Sequence, residues 1–418
     1  MGLEIRTITE SEVGAWVRAV HTGFHRSQVA GPDEVALSRP AYDLDRTRGA
    51  FDGDRCVATF RSMPRDLTVP GGGSVPASAV TNVTVTATHR RRGLATRMMA
   101  ADLAAAKERG EAVSILIAAE YPIYGRYGFG PATWVTEWEV DVPRAALDRR
   151  HAGPDPAEGT VGLVTAAEVR ELGPALHERV RARTPGAISR DDRWWKRATG
   201  AIVLPSFGYK ESFFVVHRDA AGEVDGMAAY QVNDPDWPGK LPNADAEVLW
   251  LIAATPAADA ALWRYLLSLD WVVRLKSGHR PPDDILPLLL GDPRAARTET
   301  HADYMWLRLL DIPAALSARG YAPLTADLVL DVHDPAGLAG GTFRLETAPG
   351  AAPRCTPAPS AAPDLALDAA TLARLYLGDE SALRLAALGL VAEHRPEAAA
   401  TADVLFRTPR RPWCPEVF

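Results

Sequence analysis

The passage VTNVTVTATHRRRGLATRMMAADLAAAK, residues 80–107, changes period in mid-course. From Val80 to Thr88, β-branched and polar residues alternate, which is the pattern of a half-buried strand. From Gly93 to Lys107 the residues are mostly Ala, Leu and Met and read as a helix. Arg90, Arg91 and Arg92 therefore stand at a strand-to-helix turn. The first backbone N–H groups of a helix lack intrahelical partners and its dipole is positive there, so such a turn suits an anion. A solvated basic surface turn is the competing reading. Against it, the spacing Arg90-x-x-Gly93-x-Ala95 keeps two positions small where ligand oxygens would approach the backbone. The Walker lysine and Ser/Thr are missing, as is the three-glycine dinucleotide fingerprint, so neither nucleotide class is expected.

At 418 residues the chain exceeds one ordinary core, and two or three domains are expected. A hydrophobic fraction of 47% and a charged fraction of 24% are those of a globular protein. The net charge of −7 gives no nucleic-acid footprint and suits a cationic substrate. Cys56, Cys355 and Cys414 are odd in number, far apart and without metal-ligand spacing, so no metal is expected and a reducing compartment fits. The first twenty residues are charged, and no run reaches the ~18 apolar residues of a membrane span. A cytoplasmic protein with no membrane partner is expected.

Residues 1–135 read as one unit: strand and helix, a meander broken by Asp-Gly and Gly-Gly-Gly turns, the helix after the arginines, and the apolar strand of EAVSILIAAE. Residues 136–303 repeat the layout. In AEVLWLIAATPAADAALWRYLLSLDWVVRL, however, Thr255-Pro-Ala-Ala-Asp259 replaces the arginines and glycine, so no anion site is expected there. Residues 304–418 form the last unit, opening on a strand and short helix in MWLRLLDIPAALSARGY. Its stretch PGAAPRCTPAPSAAP (349–363) reads as an exposed loop.

The pattern Arg-x-x-Gly-x-Ala after a Val-x-Val strand resembles the acyl-CoA pyrophosphate loop of the GCN5-related N-acetyltransferases (GNAT). Together with IYGRYGFGPAT, WLRLLDIPAALSARGY and a C-terminal aromatic residue, it resembles the Eis (enhanced intracellular survival) family of multi-site aminoglycoside and amine N-acetyltransferases. The resemblance implies an α/β chain of mixed sheets: tandem GNAT-like domains, the second degenerate, and a C-terminal α+β domain like sterol carrier proteins. It further implies a homo-oligomer, a hexamer, with acetyl-CoA as co-substrate and a small amine as acceptor. The acceptor classes are aminoglycosides, polyamine-like compounds and lysine side chains.

Carried over by position, acetyl-CoA would be held by Val83, Thr84 and Val85, by Arg90, Arg91, Arg92, Gly93, Leu94, Ala95 and Thr96, and by Ala119 and Glu120. Tyr124 would be the general acid and the α-carboxylate of Phe418 the general base. Ala119 departs from the small hydroxyl residue common at that position, and Glu416 stands one place upstream of where an acidic neighbour to the terminal aromatic would suit a polycation.

A terminal carboxylate has an ordinary pKa of about 3.5 and needs a raised pKa or a relaying water to take an ammonium proton. Proton transfer from a tyrosine at about 10 to a thiolate at about 8.5 is uphill by ~2 kcal/mol in free-solution values, a gap that a lowered Tyr124 pKa or a raised thiol pKa would close. His21, His25 and His89 read as surface or capping residues, Asp33, Glu34, Asp43 and Asp45 as a solvated charge run in preference to the lining of an amine channel near the first helix, and Tyr127 and Phe129 as packing groups. Two other function classes compete with the enzyme: a carrier of a lipid or other apolar ligand with a vestigial acetyltransferase domain, and an oligomeric scaffold.

Overall fold

The computed structural model describes residues 3–26, 30–150, 159–233 and 237–418. It contains three sheets, and the chain moves between the first two more than once.

The first unit runs β1 (Glu4–Thr7), α1 (Val13–Gly23), α2 (Pro32–Ser38), β2 (Thr47–Asp52), β3 (Arg55–Thr68), β4 (Ser74–Val85), α3 (Leu94–Glu108), β5 (Val113–Ile117), α4 (Tyr121–Tyr124) and β6 (Gly130–Pro131). β3 and β4 form a long antiparallel hairpin, and β5 adds parallel to β4. The Gly-rich hairpin turn has a packing cause. Gly71 has φ +87°, and a Cβ there would fall 2.8 Å from the Cα of Gly320, so only glycine lets the two backbones meet.

The second unit contains β7 (Trp134–Asp141), β8 (Thr160–Val164), α5 (Ala166–Arg181), α6 (Asp192–Ala198), β9 (Phe213–Arg218), β10 (Val224–Val232), β11 (Ala244–Ala253), α7 (Pro256–Leu267), β12 (Val272–Lys276), α8 (Leu286–Leu289) and β13 (Ala296–Asp303). Its sheet has the order β13-β7-β12-β11-β10-β9-β8, and β11 and β12 are parallel across α7 as β4 and β5 are across α3. The internal repeat read from the sequence is thus a repeat of structure.

The strand expected to open the third unit, β14 (Met305–Leu309), inserts instead into the first sheet between β5 and β6, giving β1-β2-β3-β4-β5-β14-β6. Its alternation explains the insertion. Met305, Leu307 and Leu309 face one core, while the other face carries Trp306 and the buried, ion-paired Arg308, so both faces are buried and only a central position encloses them. After β14 come α9 (Ile312–Ala318), β15 (Ala326–His333), β16 (Gly341–Thr347), β17 (Arg354–Pro357), β18 (Leu365–Asp368), α10 (Ala369–Tyr376), α11 (Ala382–Ala387), β19 (Val391–Glu393) and α12 (Ala398–Phe406). The third sheet is ordered β17-β16-β15-β18-β19. Residues 354–357, expected within an exposed loop, form its edge strand with Cys355 buried; an edge strand tolerates the flanking prolines that obscured it. One apolar core runs from β4, β5 and β14 through α9 into this sheet. Among the described residues no helix is long and apolar enough to cross a membrane.

Candidate active site

β4 is where the first sheet splits. Its parallel pairing with β5 runs from Ala77 opposite Val113 to Val80 opposite Leu116 and stops there, whereas pairing with β3 continues to Val85. Register with β3 shifts between Thr59 and Arg61, and Asn82 sits at φ +52° in the shift. This is a β-bulge, with the extra residue on β4 bending the strand away from β5. Asn pays less than most residues for a left-handed backbone, and its carbonyl accepts from Thr59 Oγ1 at 2.8 Å. Beyond the bulge, among the described residues, the edge of Val83, Thr84 and Val85 away from β3 has no strand partner.

The arginine turn follows directly. Arg90, Arg91, Arg92 and Gly93 are exposed, and Arg91 and Gly93 are both left-handed, at φ +63° and +72°. His89, expected as a surface or capping residue, is buried. Its Nε2 lies 3.2 Å from Asp52 Oδ2 and its Nδ1 2.8 Å from Thr88 Oγ1, which pins the turn to the end of β2. α3 starts with no side-chain cap among the described residues, and its first helical bond is from Arg97 N to Gly93 O. The N–H groups of Leu94, Ala95 and Thr96 are left to a ligand or solvent. The corresponding helix of the second unit differs in kind: Thr255 Oγ1 accepts from Ala258 N at 3.1 Å, and Asp259 and Asp284 flank the buried Arg280. That start is already satisfied and carries carboxylates.

Tyr124 ends the short α4, three residues past Tyr121, and packs edge-on to Phe129 with ring centroids 6.3 Å apart. Val83, Val85, Ala118, Tyr124 and Tyr127 all rest on the core made by α3, Val80, Leu116 and Phe129. The predicted cofactor strand, the anion-turn helix and Tyr124 are thus assembled on one support. Ala119 and Glu120 are exposed on the other lip of the split. Tyr127 does more than pack, since its hydroxyl lies 3.1 Å from Thr96 Oγ1 in the first turn of α3. Its carbonyl accepts from Arg308, whose guanidinium is buried and paired with Asp334 of the third unit at 2.8 Å. Burial raises the Tyr124 phenol above its ordinary 10.0, and Glu120 and Tyr127 push the same way. Of the two ways to close the gap to the thiolate, a lowered Tyr124 pKa is thus not the one favoured, since among the described residues no cation offsets the desolvation.

The C-terminal tail is docked. Trp413 N donates to Pro185 O at 2.8 Å, Arg411 grips Asp379 through two bonds of 2.6 and 2.9 Å, and Tyr304 Oη donates to Glu416 O at 3.2 Å. Glu416 is 2% exposed, accepting from Arg190 Nε at 3.0 Å, with His177 Nε2 at 3.2 Å. Arg190 in turn stacks on Trp194 at 3.7 Å. Glu416 is therefore a tail anchor. Phe418 is half-buried against the core shared by β4, β5 and β14, as are Met63 and Ile117.

The charge run read as solvated is only partly so. Glu34 is 3% exposed and accepts from Ser206 N at 2.9 Å and Ser206 Oγ at 2.7 Å, and buried His21 lies 3.7 Å away. Glu34 and His21 help line a cleft between the first and second units whose wall includes Asn82. The amine channel weighed for this charge run meets the cleft at Glu34, but Arg193, Arg197, Leu204 and Phe207 of its wall lie more than a hundred positions further along the chain and left no local signal. Asn82, Arg190 and Arg308 were missed for similar reasons; only the Asn interrupting a β-branched run left a local signal.

The split strand, the uncapped helix start and the two related sheets define the class: a tandem GNAT-type acetyltransferase. Residues 4–132 and 186–309 each match an acetyltransferase (GNAT) domain family, and residues 312–415 match the sterol carrier protein domain. The chain is 55% identical over 417 residues to an uncharacterized N-acetyltransferase of Streptomyces avermitilis, covering 100% of this chain and 99% of that one. It is 38% identical over 363 residues to N-acetyltransferase Eis of Mycobacterium tuberculosis, 85% of each. The crystal structure of Eis1 from Mycobacterium abscessus superposes with a TM-score of 0.85 at 32% identity, covering 99% of this chain and 100% of that one. The chain belongs to the Eis-like family of N-acetyltransferases.

Proposed function

We propose that the protein transfers the acetyl group of acetyl-CoA to a primary amine by direct attack in a ternary complex. The observation that carries this is the convergence of the unpaired β4 edge, the open N–H groups of α3 and the Tyr124 ring on one core. Val83, Thr84 and Val85 would pair with the pantetheine amides as an added strand does. Arg90 to Thr96 would hold the pyrophosphate, with Ala119 and Glu120 on the opposite lip.

In the reaction the Phe418 carboxylate takes a proton from the substrate ammonium, the freed lone pair attacks the thioester carbonyl, the C–S bond breaks as Tyr124 gives its proton to the departing sulfur, and the second nitrogen proton is lost through solvent, from which the tyrosine is reprotonated. The docking of the tail through Glu416 and Trp413 supports an ordered terminal carboxylate. The burial that raises the Tyr124 phenol raises a thiol beside it as well, so the ~2 kcal/mol gap between free-solution values stays of that order. Tyr124 then acts first as a hydrogen-bond donor and gives up its proton only as the thiolate forms.

A homohexamer is part of the same reading and is tested by light scattering. The three cysteines are unpaired, which suits the reducing cytoplasm. The enzymatic test is CoA-thiol release by the untagged protein with aminoglycosides, polyamines and lysine peptides, with the acetylated product identified by mass. Binding of acetyl-CoA without turnover of any amine would favour a carrier or scaffold instead.

A further inference from the structure

The inter-unit cleft at the β4 bulge has a charge that a polycationic acceptor does not fit. Arg61 comes from β3, where it pairs with Thr81 beside the bulge, Arg26 from the segment after α1, and Arg193 and Arg197 from α6 of the second unit. Four guanidinium groups face one carboxylate, Glu34, which is already engaged by Ser206. Among the described residues none of the four arginines is within ion-pair distance of a carboxylate. Arg61 donates to Ala41 O at 2.8 Å and Arg193 to Leu37 O at 2.7 Å, while Arg26 and Arg197 lie over the Phe207 ring at 4.3 and 5.5 Å. The Nε of Arg61 is shielded from solvent and has no hydrogen-bond partner. Burial lowers the Arg61 pKa to about 10, with Arg65, Arg193 and Arg197 pushing the same way, so the group is cationic at neutral pH and held among like charges.

Arg26 and Arg197 are exposed to solvent, so the cost of the cluster falls mainly on the half-buried Arg61 and Arg193, whose repulsion an entering anion would relieve. The cleft volume is about 110 Å³. That holds a carboxylate or phosphate group, and is well below the ~300–1,000 Å³ that encloses a drug-sized molecule. Asn82 in its lining immediately precedes Val83, the first residue of the edge assigned to acetyl-CoA, so a molecule with its acidic group in the cleft lies beside that edge.

We propose that the acceptor is an amine that also carries an anionic group, a carboxylate or phosphate, received by Arg61, Arg193 and Arg197. This rests on the acetyltransferase reading above and narrows its substrate class away from polycations. The overall charge of −7 pointed the other way, because net charge is a sum over the surface and says nothing of a cleft lined by four arginines.

The test uses matched amines with the untagged protein: phenylalanine against phenethylamine, phosphoethanolamine against ethanolamine, and spermidine. Each is followed by CoA-thiol release and by calorimetric binding in the presence of acetyl-CoA. At least one acid-bearing member should exceed its neutral mate at least tenfold in kcat/KM, and which pair shows it distinguishes carboxylate from phosphate. The double variant Arg193→Ala/Arg197→Ala should reduce that ratio toward one, while Arg193→Lys/Arg197→Lys keeps most of it; thermal melts confirm that both fold. A preference for spermidine or the neutral mates, or a ratio that survives loss of both arginines, overturns the proposal. If no amine is acetylated, the acetyltransferase reading fails on its own. Calorimetry then decides the cleft: phosphoethanolamine or phenylalanine bound by the native protein and not by the double alanine variant upholds it, and no binding of either overturns it.

Discussion

Replacing Glu416 with alanine tests whether a docked tail is needed for turnover. The carboxylate is almost fully enclosed and accepts from Arg190 at 3.0 Å, with the His177 ring 3.2 Å away. Its removal leaves the Arg190 guanidinium buried without a counter-charge, a loss of about 3–5 kcal/mol. Trp413, still packed, retains ~2–3 kcal/mol of apolar burial, so the loss falls on the last residues rather than on the whole tail. At ~1.4 kcal/mol per tenfold, the docked population of Phe418 falls by roughly two orders of magnitude or more.

The expected result is a fall in single-turnover acetyl transfer of at least tenfold, unchanged acetyl-CoA affinity, and faster amide exchange confined to residues 415–418. Native turnover together with exchange at the native rate in Glu416→Ala would refute the reasoning. pH supplies a second check. Burial works to raise the Glu416 carboxyl, but Arg190 and His177 outweigh it and hold it below the ordinary 4.5. A group with a depressed folded pKa stabilises the tail fully above its unfolded value and loses that contribution as pH falls below about 4.5 toward the folded one. The contribution of the Glu416 carboxylate should therefore be fully present above about pH 5, and the protection of the tail amides, taken relative to their intrinsic exchange rates, should lose this contribution only in acid.

Tyr124→Phe should lower kcat by ~10²-fold or more while leaving acetyl-CoA affinity unchanged, measured by steady-state kinetics and calorimetry; equal turnover removes Tyr124 as the acid. Because its phenol is raised above 10.0, the native enzyme should show no alkaline loss of activity from this group below about pH 10. Gly93→Ala places a Cβ on a residue at φ +72°, which should cost about 1–2 kcal/mol of stability, read as a lower melting temperature, and raise the KM for acetyl-CoA where the backbone must approach phosphate. Arg308→Met should destabilise by about 3–5 kcal/mol through the unpaired Asp334, and Arg308→Met/Asp334→Asn should recover part of it in urea denaturation.

The strand-to-helix switch at 80–107, the repeat of that layout at 246–275, and the strand and short helix of MWLRLLDIPAALSARGY were legible because each depends on residues close in sequence. A period of 2 or 3.6, a Gly or Pro at a turn and a residue free to cap a helix act within one element, and local propensity reports them. The loss of the anion site in the second unit was legible for the same reason, since Thr255 is both the residue at the turn and the cap that fills it.

What the sequence left open depends on partners far along the chain. Nothing in MWLRLL says that it lies between β5 and β6, because alternation shows that both faces are buried but not beside which strand. The extra residue at Asn82 becomes a bulge only when counted against β3, and it opens the split only because β5 stops pairing at Leu116. Glu416 looked like a displaced substrate contact and is an anchor, because Arg190 stands 226 positions away in sequence and 3.0 Å away in space. The same holds for the arginine cleft, whose four arginines come from three segments of the chain. The sequence alone determined which elements form and which turn can receive an anion, since those are properties of short peptides with a repeating geometry. The tertiary structure decided where the sheet divides, what holds the tail and what charge lines the cleft between the first two units, since burial and Coulomb energy depend on distance in space, which a linear order of residues does not contain.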